Sequence, residues 1–406
     1  VASTVAWLDT SADEQRRVRE LIALFSQVDS RDELGVGQIR DAFSETLFPG
    51  TSVIQTRARY FLFVPWIYRD GHRRGRSGPQ LKAWADARER RLIEAIRAAG
   101  DDRGLIGRIA GPAVKILPST IYWSGLNRYR ILARDAAPDQ LGAAPDNPAL
   151  QEADELAARQ PGDWHPTLPQ PPGGFPDVVA GGFHLTNVEA SWLAERIATT
   201  APDTLLSHLV QRGAPPDPDS QAPWDDTACL DAPASIREQL NHARLFSLAI
   251  HGAALLYNLV VGERYETAGY TRHTAPAADY ETRLAQWADR CADAGHQLRD
   301  WNREQMWQLI HRANPRVAVG TRLFVDTWLD AVVAGGAPRV PSDDSLRRLI
   351  AQREQKHKRA QSRLTNDRLL ATWSGEAGSG LLTYRWPTVH TLVIDIHEGL
   401  GRDAGS

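Results

Sequence analysis

The chain has 406 residues, 42% of them hydrophobic and 24% charged, with a formal net charge of −3. That is enough for two or three domains around a sizeable core, and the hydrophobic content excludes wholesale disorder. The small net charge conceals blocks. Residues 51–135 carry 17 Lys plus Arg against 7 Asp plus Glu, a net of +10; residues 136–232 carry 3 against 15, a net of −12; residues 345–368 carry 8 against 2, a net of +6. Basic blocks around an acidic one point to an anionic partner, or else to neutralisation within the monomer. Only 4 of the 47 basic residues are Lys, the mark of an Arg-rich composition, so Arg frequency alone says little about nucleic acid. Cys229 and Cys291 are the only cysteines, which excludes a disulfide framework and a thiol-rich zinc site.

Ser11 and Glu14 form a capping box ahead of an apolar face of Val18, Leu21, Ile22 and Phe25, which predicts a first helix. A second is expected after Gly37, with Ile39, Phe43 and Leu47 on its stripe. Pro49-Gly50 reads as a turn. A third helix is expected from Thr51 or Ser52 and carries Arg57, Tyr60 and Phe61, with Pro65 ending or kinking it. Leu81, Trp84, Arg88, Leu92 and Ile96 mark a fourth, and Ser119 to Leu132 reads as a short helix broken near Gly125 and then an extended piece. The stretch 136–182, with QPGDWHPTLPQPPGGFP, is the best linker candidate, either a packed meander or a spacer.

Thr186 and Glu189 give another capping box, and Asp203 reads as the cap of the next helix. Leu245–Val261 is the longest uncharged apolar run; its His251, Gly252 and Asn258 favour a buried central helix over a membrane span. Helices are expected over 279–296, 298–312, 321–333 and 343–363. Leu381–Trp386 alternates like a strand, and Pro387 suits the start of a last helix. The expected fold class is therefore mainly α: a multi-helix globular protein with a small α+β, winged-helix-like C-terminal lobe. The expected division is a basic helical domain over 1–135, an acidic Pro/Gly-rich stretch over 136–182, a helical domain over 183–340, and a basic helix plus C-terminal lobe over 341–406. No signal-peptide pattern opens the chain, and the expected location is the cytoplasm.

The residues suited to nucleic acid are Arg57, Arg59, Arg128, Arg130, Lys356, Lys358, Arg359, Arg363 and Arg385. Phosphates demand cations that track a backbone, and unpaired bases stack on aromatics. A helix over 343–363 would put Lys356, Arg359 and Arg363 on one face. Arg385 lies between Tyr384 and Trp386, where stacking would present it. Arg57 and Arg59 have a second reading, as partners of Asp32, Glu33 or Asp41. Asp9, Asp32, Glu33 and Asp41, with Gln55, are also the residues a metal-dependent nuclease would use, although their setting is helical. His251 reads as a core histidine. His390 and His397 share a helix face, and Asp395 does not clearly join them. No HExxH or phosphate-binding loop occurs, and no cofactor is expected.

The opening WLD, DELGVGQIRDAF, LFPGTSVIQTRARYFLFVPW, LPSTIYWSGL and the closing RLTNDRLLATWSG with YRW resemble a bacterial family of unknown function, domain-of-unknown-function family number 6361. The resemblance runs over nearly the whole chain. It brings no catalytic residues. It implies a place in phage-defence-type gene clusters beside helicase, methyltransferase and phospholipase-D-like proteins. The expected function is a non-enzymatic accessory component of an anti-phage system, binding DNA or RNA and docking on helicase, methyltransferase or nuclease subunits, with no membrane. The alternatives are a protein-interaction scaffold and the metal-dependent nuclease.

Overall fold

The structure, a computed structural model, describes residues 32–142 and 162–402. The expected first helix, with Ser11 and Glu14, and Asp9 lie outside these residues, as does part of the acidic stretch. The described chain is mainly α-helical: α1 (Gly37–Leu47), α2 (Tyr60–Arg73), α3 (Gly78–Ala98), α4 (Pro118–Arg128), α5 (Asn187–Thr200), α6 (Leu205–Gln211), α7 (Thr227–Leu230), α8 (Ala234–Thr267), α9 (Pro276–Asp293), α10 (Gly295–Arg299), α11 (Arg303–Ala313), α12 (Val319–Ala331), α13 (Asp344–Lys358), α14 (Asp367–Ala371) and α15 (Trp386–Leu400). These residues form two compact units. The first takes 32–43 and 239–382; the second takes 44–142, 162–238 and 383–402. Each unit joins stretches far apart in sequence, so neither coincides with a segment of the linear division read from composition.

The first unit is organised by the part of α8 that lies in it. This helix is long and apolar enough to cross a membrane (mean hydropathy 1.7), but 83% of its most apolar window is buried inside the protein. The Trp287 indole of α9 and the Trp328 indole of α12 donate to Leu248 O and Ala249 O of α8, each at 2.8 Å. A tryptophan buried this way satisfies its single donor while covering a large apolar area. His251 behaves as a core histidine: its Nε2 faces Ser379 O at 2.9 Å. In the same unit, Asp32 caps α1 by accepting from Val36 N (2.7 Å) and Gly37 N (2.9 Å). Those are donors the helix itself leaves unpaired.

The second unit is built on α2, whose residues Tyr60 to Tyr68 are all buried. Pro65 sits inside it and does not end it. The missing N–H costs one ladder bond, and burial of Phe61, Phe63 and Trp66, at roughly 1.5–3 kcal/mol each, outweighs that loss. The helix does not begin at Thr51 or Ser52. Residues 51–59 form turns and irregular backbone, in which the amides of Ser52, Thr56, Arg57 and Ala58 are taken by side chains instead. The described part of the Pro/Gly-rich stretch is a packed meander: Trp66 Nε1 donates to Pro169 O at 2.6 Å, and Phe175 lies against Phe63 and Trp66. Helix α4 runs through Gly125 unbroken. Gly125 is there for clearance, since a Cβ would stand 2.6 Å from Gly50 O and 2.7 Å from the Phe61 ring.

The Thr186–Glu189 capping box starts α5 as its spacing predicts, with Glu189 N donating to Thr186 Oγ1 (3.3 Å) and Thr186 N to Glu189 Oε2 (3.1 Å). Thr186→Ala is expected to lower stability by about 1 kcal/mol, read as a smaller urea midpoint. The next cap is Thr204 rather than Asp203, which has a left-handed φ of 57°. The winged-helix-like lobe does not form. Among the described residues there is no strand, only an isolated bridge between Leu132 and Trp164. Leu381–Trp386 loses its alternation because Tyr384 (φ 53°) and Arg385 (φ 70°) turn left-handed immediately before α15. Pro387 does lie in the first turn of that helix.

Candidate nucleic-acid interface

The sequence element LFPGTSVIQTRARY folds into a clamp in the second unit. Gln55 holds the turn by donating to Gly50 O (3.3 Å) while accepting from Ser52 N (3.2 Å). The Tyr122 hydroxyl of α4 accepts from Thr56 N (2.8 Å) and Arg57 N (3.0 Å) and donates to Arg57 O (2.8 Å). Tyr129 OH donates to Pro49 O at 2.9 Å. LPSTIYWSGL and LFPGTS-x-x-QTRARY therefore pack on each other, and their distinctive residues close a buried backbone.

The two arginines of that element are spent inside it. Arg57 grips Asp395 of α15, with Nε 3.1 and 3.0 Å from the two carboxylate oxygens, while Ala58 N donates to the same carboxylate at 2.8 Å. Burial raises the Asp395 pKa, opposed by Arg57 and by the Ala58 amide. Arg59 is 1% exposed. Its guanidinium donates to Glu189 Oε1 (2.9 Å), Ala180 O and Gly182 O (2.8 Å each). A guanidinium enclosed this way cannot reach a phosphate, so Arg59 is removed from the proposed contacts. The partners of both arginines are Asp395 and Glu189, not Asp32, Glu33 or Asp41.

Arg385 is not stacked between aromatic faces. Tyr384 and Trp386 are buried, and Arg385 NH1 donates to Thr51 O (2.7 Å) with Glu45 at 3.6 Å. Arg128 donates to Thr200 O and stays 39% exposed, 3.9 Å from Glu45. Arg130 is exposed, with no ion pair among the described residues. The neighbouring acidic block answers part of the basic one: Arg134 pairs with Asp163 (2.7 Å), and Arg88 and Arg91 lie 3.5 Å from Asp177. Besides Arg73 and Arg76, Arg97, Arg103, Arg108 and Lys115 are exposed without an ion pair among the described residues, the last three on a loop that also presents Ile109 at 90% exposure. Sequence reading counted these four cations only as part of the block. The one signal present was that Arg108 and Lys115 have no carboxylate within four residues; Arg97 and Arg103 do.

In the first unit, α13 stops at Lys358 and Arg359 takes φ 52°. Buried Glu354 holds the reversal, accepting from Ser362 Oγ and from Arg363 N (2.7 Å). The face expected to carry Lys356, Arg359 and Arg363 together does not exist, because Arg363 lies beyond the helix end. It turns onto Glu33 (2.7 Å), where Lys358 also sits (3.2 Å). Burial raises the Glu33 pKa, but Arg363 and Lys358 outweigh it and hold the group below its ordinary value. Lys356 and Arg359 remain exposed with no ion pair among the described residues. Arg353, passed over as one more basic residue, is a structural clamp: it donates to Leu34 O (2.7 Å), Gly35 O (3.0 Å), Gly320 O (3.2 Å) and Thr321 Oγ1 (2.8 Å).

The residues of the nuclease alternative do not converge. Asp32 caps α1, Glu33 is ion-paired, and Asp41 is exposed against Arg40 at 2.9 Å. No group of three or more His, Cys, Asp or Glu side chains among the described residues is placed to hold a metal ion. His390 and His397 face Asp217 O (2.7 Å) and Leu209 O (2.8 Å), as structural contacts of α15.

The described chain is thus mainly helical, with ion-paired arginines inside and many exposed cations that have no ion pair among the described residues. Residues 2–398 match the family described as "Family of unknown function (DUF6361)", and the chain belongs to that family. No curated protein and no solved structure matches the chain.

Proposed function

We propose that the protein is a non-enzymatic accessory component of a bacterial anti-phage defence system, binding DNA or RNA and docking on helicase, methyltransferase or nuclease subunits. The defence setting rests on the resemblance of the sequence motifs. The observation that carries nucleic-acid binding is that the exposed cations without an ion pair among the described residues include Lys356 and Arg359 in the first unit and Arg103, Arg108, Lys115 and Arg130 in the second. Cations already paired gain little from a phosphate, whereas unpaired ones release its counterions. The expected result is a salt-dependent mobility shift on duplex or single strands. Lys356→Glu with Arg359→Glu should weaken binding about tenfold or more and reduce the salt slope by about 1–2. Salt-insensitive binding, or no shift at micromolar protein, would count against the reading.

A second reading, the interaction scaffold, is favoured by Val319 (83% exposed) and Leu323 (67% exposed), one turn apart on α12. It expects products of neighbouring genes to co-purify undiminished by the Lys356 and Arg359 reversals and to be lost with Leu323→Asp.

A further inference from the structure

Among the described residues, the large apolar side chain most open to solvent is Ile109 of the second unit. The backbone holds it there. Residues 107–111 close an α-turn, with Gly111 N donating to Gly107 O at 2.7 Å. Gly107 (φ 83°) and Gly111 (φ 57°) supply the left-handed conformations at its two ends. A Cβ on Gly107 would stand 3.1 Å from Gly111 O, so those ends meet, and Arg108, Ile109 and Ala110 between them are all exposed. The flanks are fastened to the unit: Ile106 N donates to Tyr60 OH (3.1 Å), and Arg90 Nε donates to Pro112 O (2.9 Å). Cations surround the turn. Arg108 lies in it, and a Cβ on Gly111 would stand 3.2 Å from Arg97 NH1 of α3. Arg103 and Lys115 follow on either side along the same loop. Residues 97–115 contain two carboxylates, Asp101 and Asp102, and Asp101 already accepts from Phe183 N at 2.9 Å.

We propose that this turn is a wedge for duplex DNA. Ile109 enters the minor groove and parts the base pairs of one step, kinking the duplex, while Arg97 and Arg108 contact the flanking phosphates and Arg103 and Lys115 add to the positive field. The inference rests on nucleic-acid binding by this protein and adds to it the face, the form of the substrate and the distortion. An aliphatic side chain among cations suits that task. Burying its apolar area offsets the lost base stacking, and the phosphate contacts supply the net affinity. A side chain already fixed on a closed turn loses little freedom on insertion. The other forms of partner fit less well. Residues 99–115 contain no aromatic ring on which an unpaired base would stack. The minor groove of A-form RNA is wide and shallow. A membrane surface calls for a broader apolar face than one isoleucine.

The test uses the full chain and a duplex of about 20 base pairs with 2-aminopurine at a central, easily kinked TpA step and a donor–acceptor dye pair on its ends. Wild type is expected to shift the duplex in a salt-dependent way, to draw the dyes together and to raise the 2-aminopurine emission. Ile109→Ala removes no buried packing and should keep the wild-type unfolding transition. It is expected to lose the bend and the emission change, and to bind about tenfold more weakly with the salt slope unchanged. Arg97→Gln with Arg108→Gln is expected to reduce the salt slope by about 1–2 and to keep the bend at saturating protein. A salt-dependent shift without a bend, a bend that Ile109→Ala retains, or a shift on single strands alone would overturn the wedge and leave nucleic-acid binding standing. Capture of wild type, but not of Ile109→Ala, by phosphatidylserine vesicles would overturn it in favour of a membrane surface. No shift on duplex or single strands would remove nucleic-acid binding and the wedge together.

Discussion

Arg59→Ala is expected to cost the second unit about 3–5 kcal/mol, the range for removing one partner of a buried ion pair. Arg59 joins the start of α2 to the start of α5 and to the 180–182 turn, through Glu189 and two carbonyls. Truncation strands all three acceptors. Glu189 is 4% exposed and cannot recover its loss from water. Its other oxygen belongs to the α5 capping box, so a displaced carboxylate also loosens that helix start. Urea unfolding followed by tryptophan fluorescence gives the loss. The control is Arg59→Met with Glu189→Leu: if the single-variant cost comes from the unpaired charge, the double variant should lose less than Arg59→Ala alone. A single-variant loss below about 1 kcal/mol would show that the pair is not anchoring the unit.

Glu89→Gln is expected to leave stability unchanged at pH 4.5 and to raise it by up to about 3 kcal/mol at pH 8. Glu89 of α3 is fully buried and accepts from Ser119 N in the first turn of α4 at 2.8 Å, while its Oε1 has no partner. Burial is the main influence on its pKa, pushed from 4.5 up to about 7; Asp86 adds to the rise, and Ser119 and Lys82 oppose it. Tyr60 is also within electrostatic reach. The sign follows from proton counting. Below pH 4.5 the carboxyl is neutral folded or unfolded and costs nothing. As pH rises to 7 the unfolded chain releases its proton first, so the group's contribution to stability is lost through that window. The carboxamide introduced by Glu89→Gln still accepts from the Ser119 amide and has no proton to release. The measurement is the pH profile of the urea midpoint for wild type and variant, and parallel profiles from pH 4.5 to 8 would refute the assignment.

Much of the helical framework was written locally. The Thr186–Glu189 capping box and the Ile39–Phe43–Leu47 stripe act over one or two turns, and both formed where periodicity placed them. The destinations of the charges were not local. Arg57 and Asp395 are 338 residues apart, Arg363 and Glu33 are 330 apart, and no spacing rule links them. The end of α13 depends on Glu354 capturing Ser362 and the Arg363 amide after the chain reverses, so a helical reading of the face continued past the true terminus.

The amino-acid order by itself determined that this chain is helical, where several of its helices begin, and that its longest apolar run belongs in a core, because those outcomes follow from periodicity and caps within a few residues. Only the tertiary structure decided which cations are available. A guanidinium is neutralised by whichever carboxylate or carbonyl the fold brings within about 3 Å. That assignment places Arg57, Arg59, Lys358 and Arg363 in the scaffold and leaves Arg130, Lys356 and Arg359 at the surface.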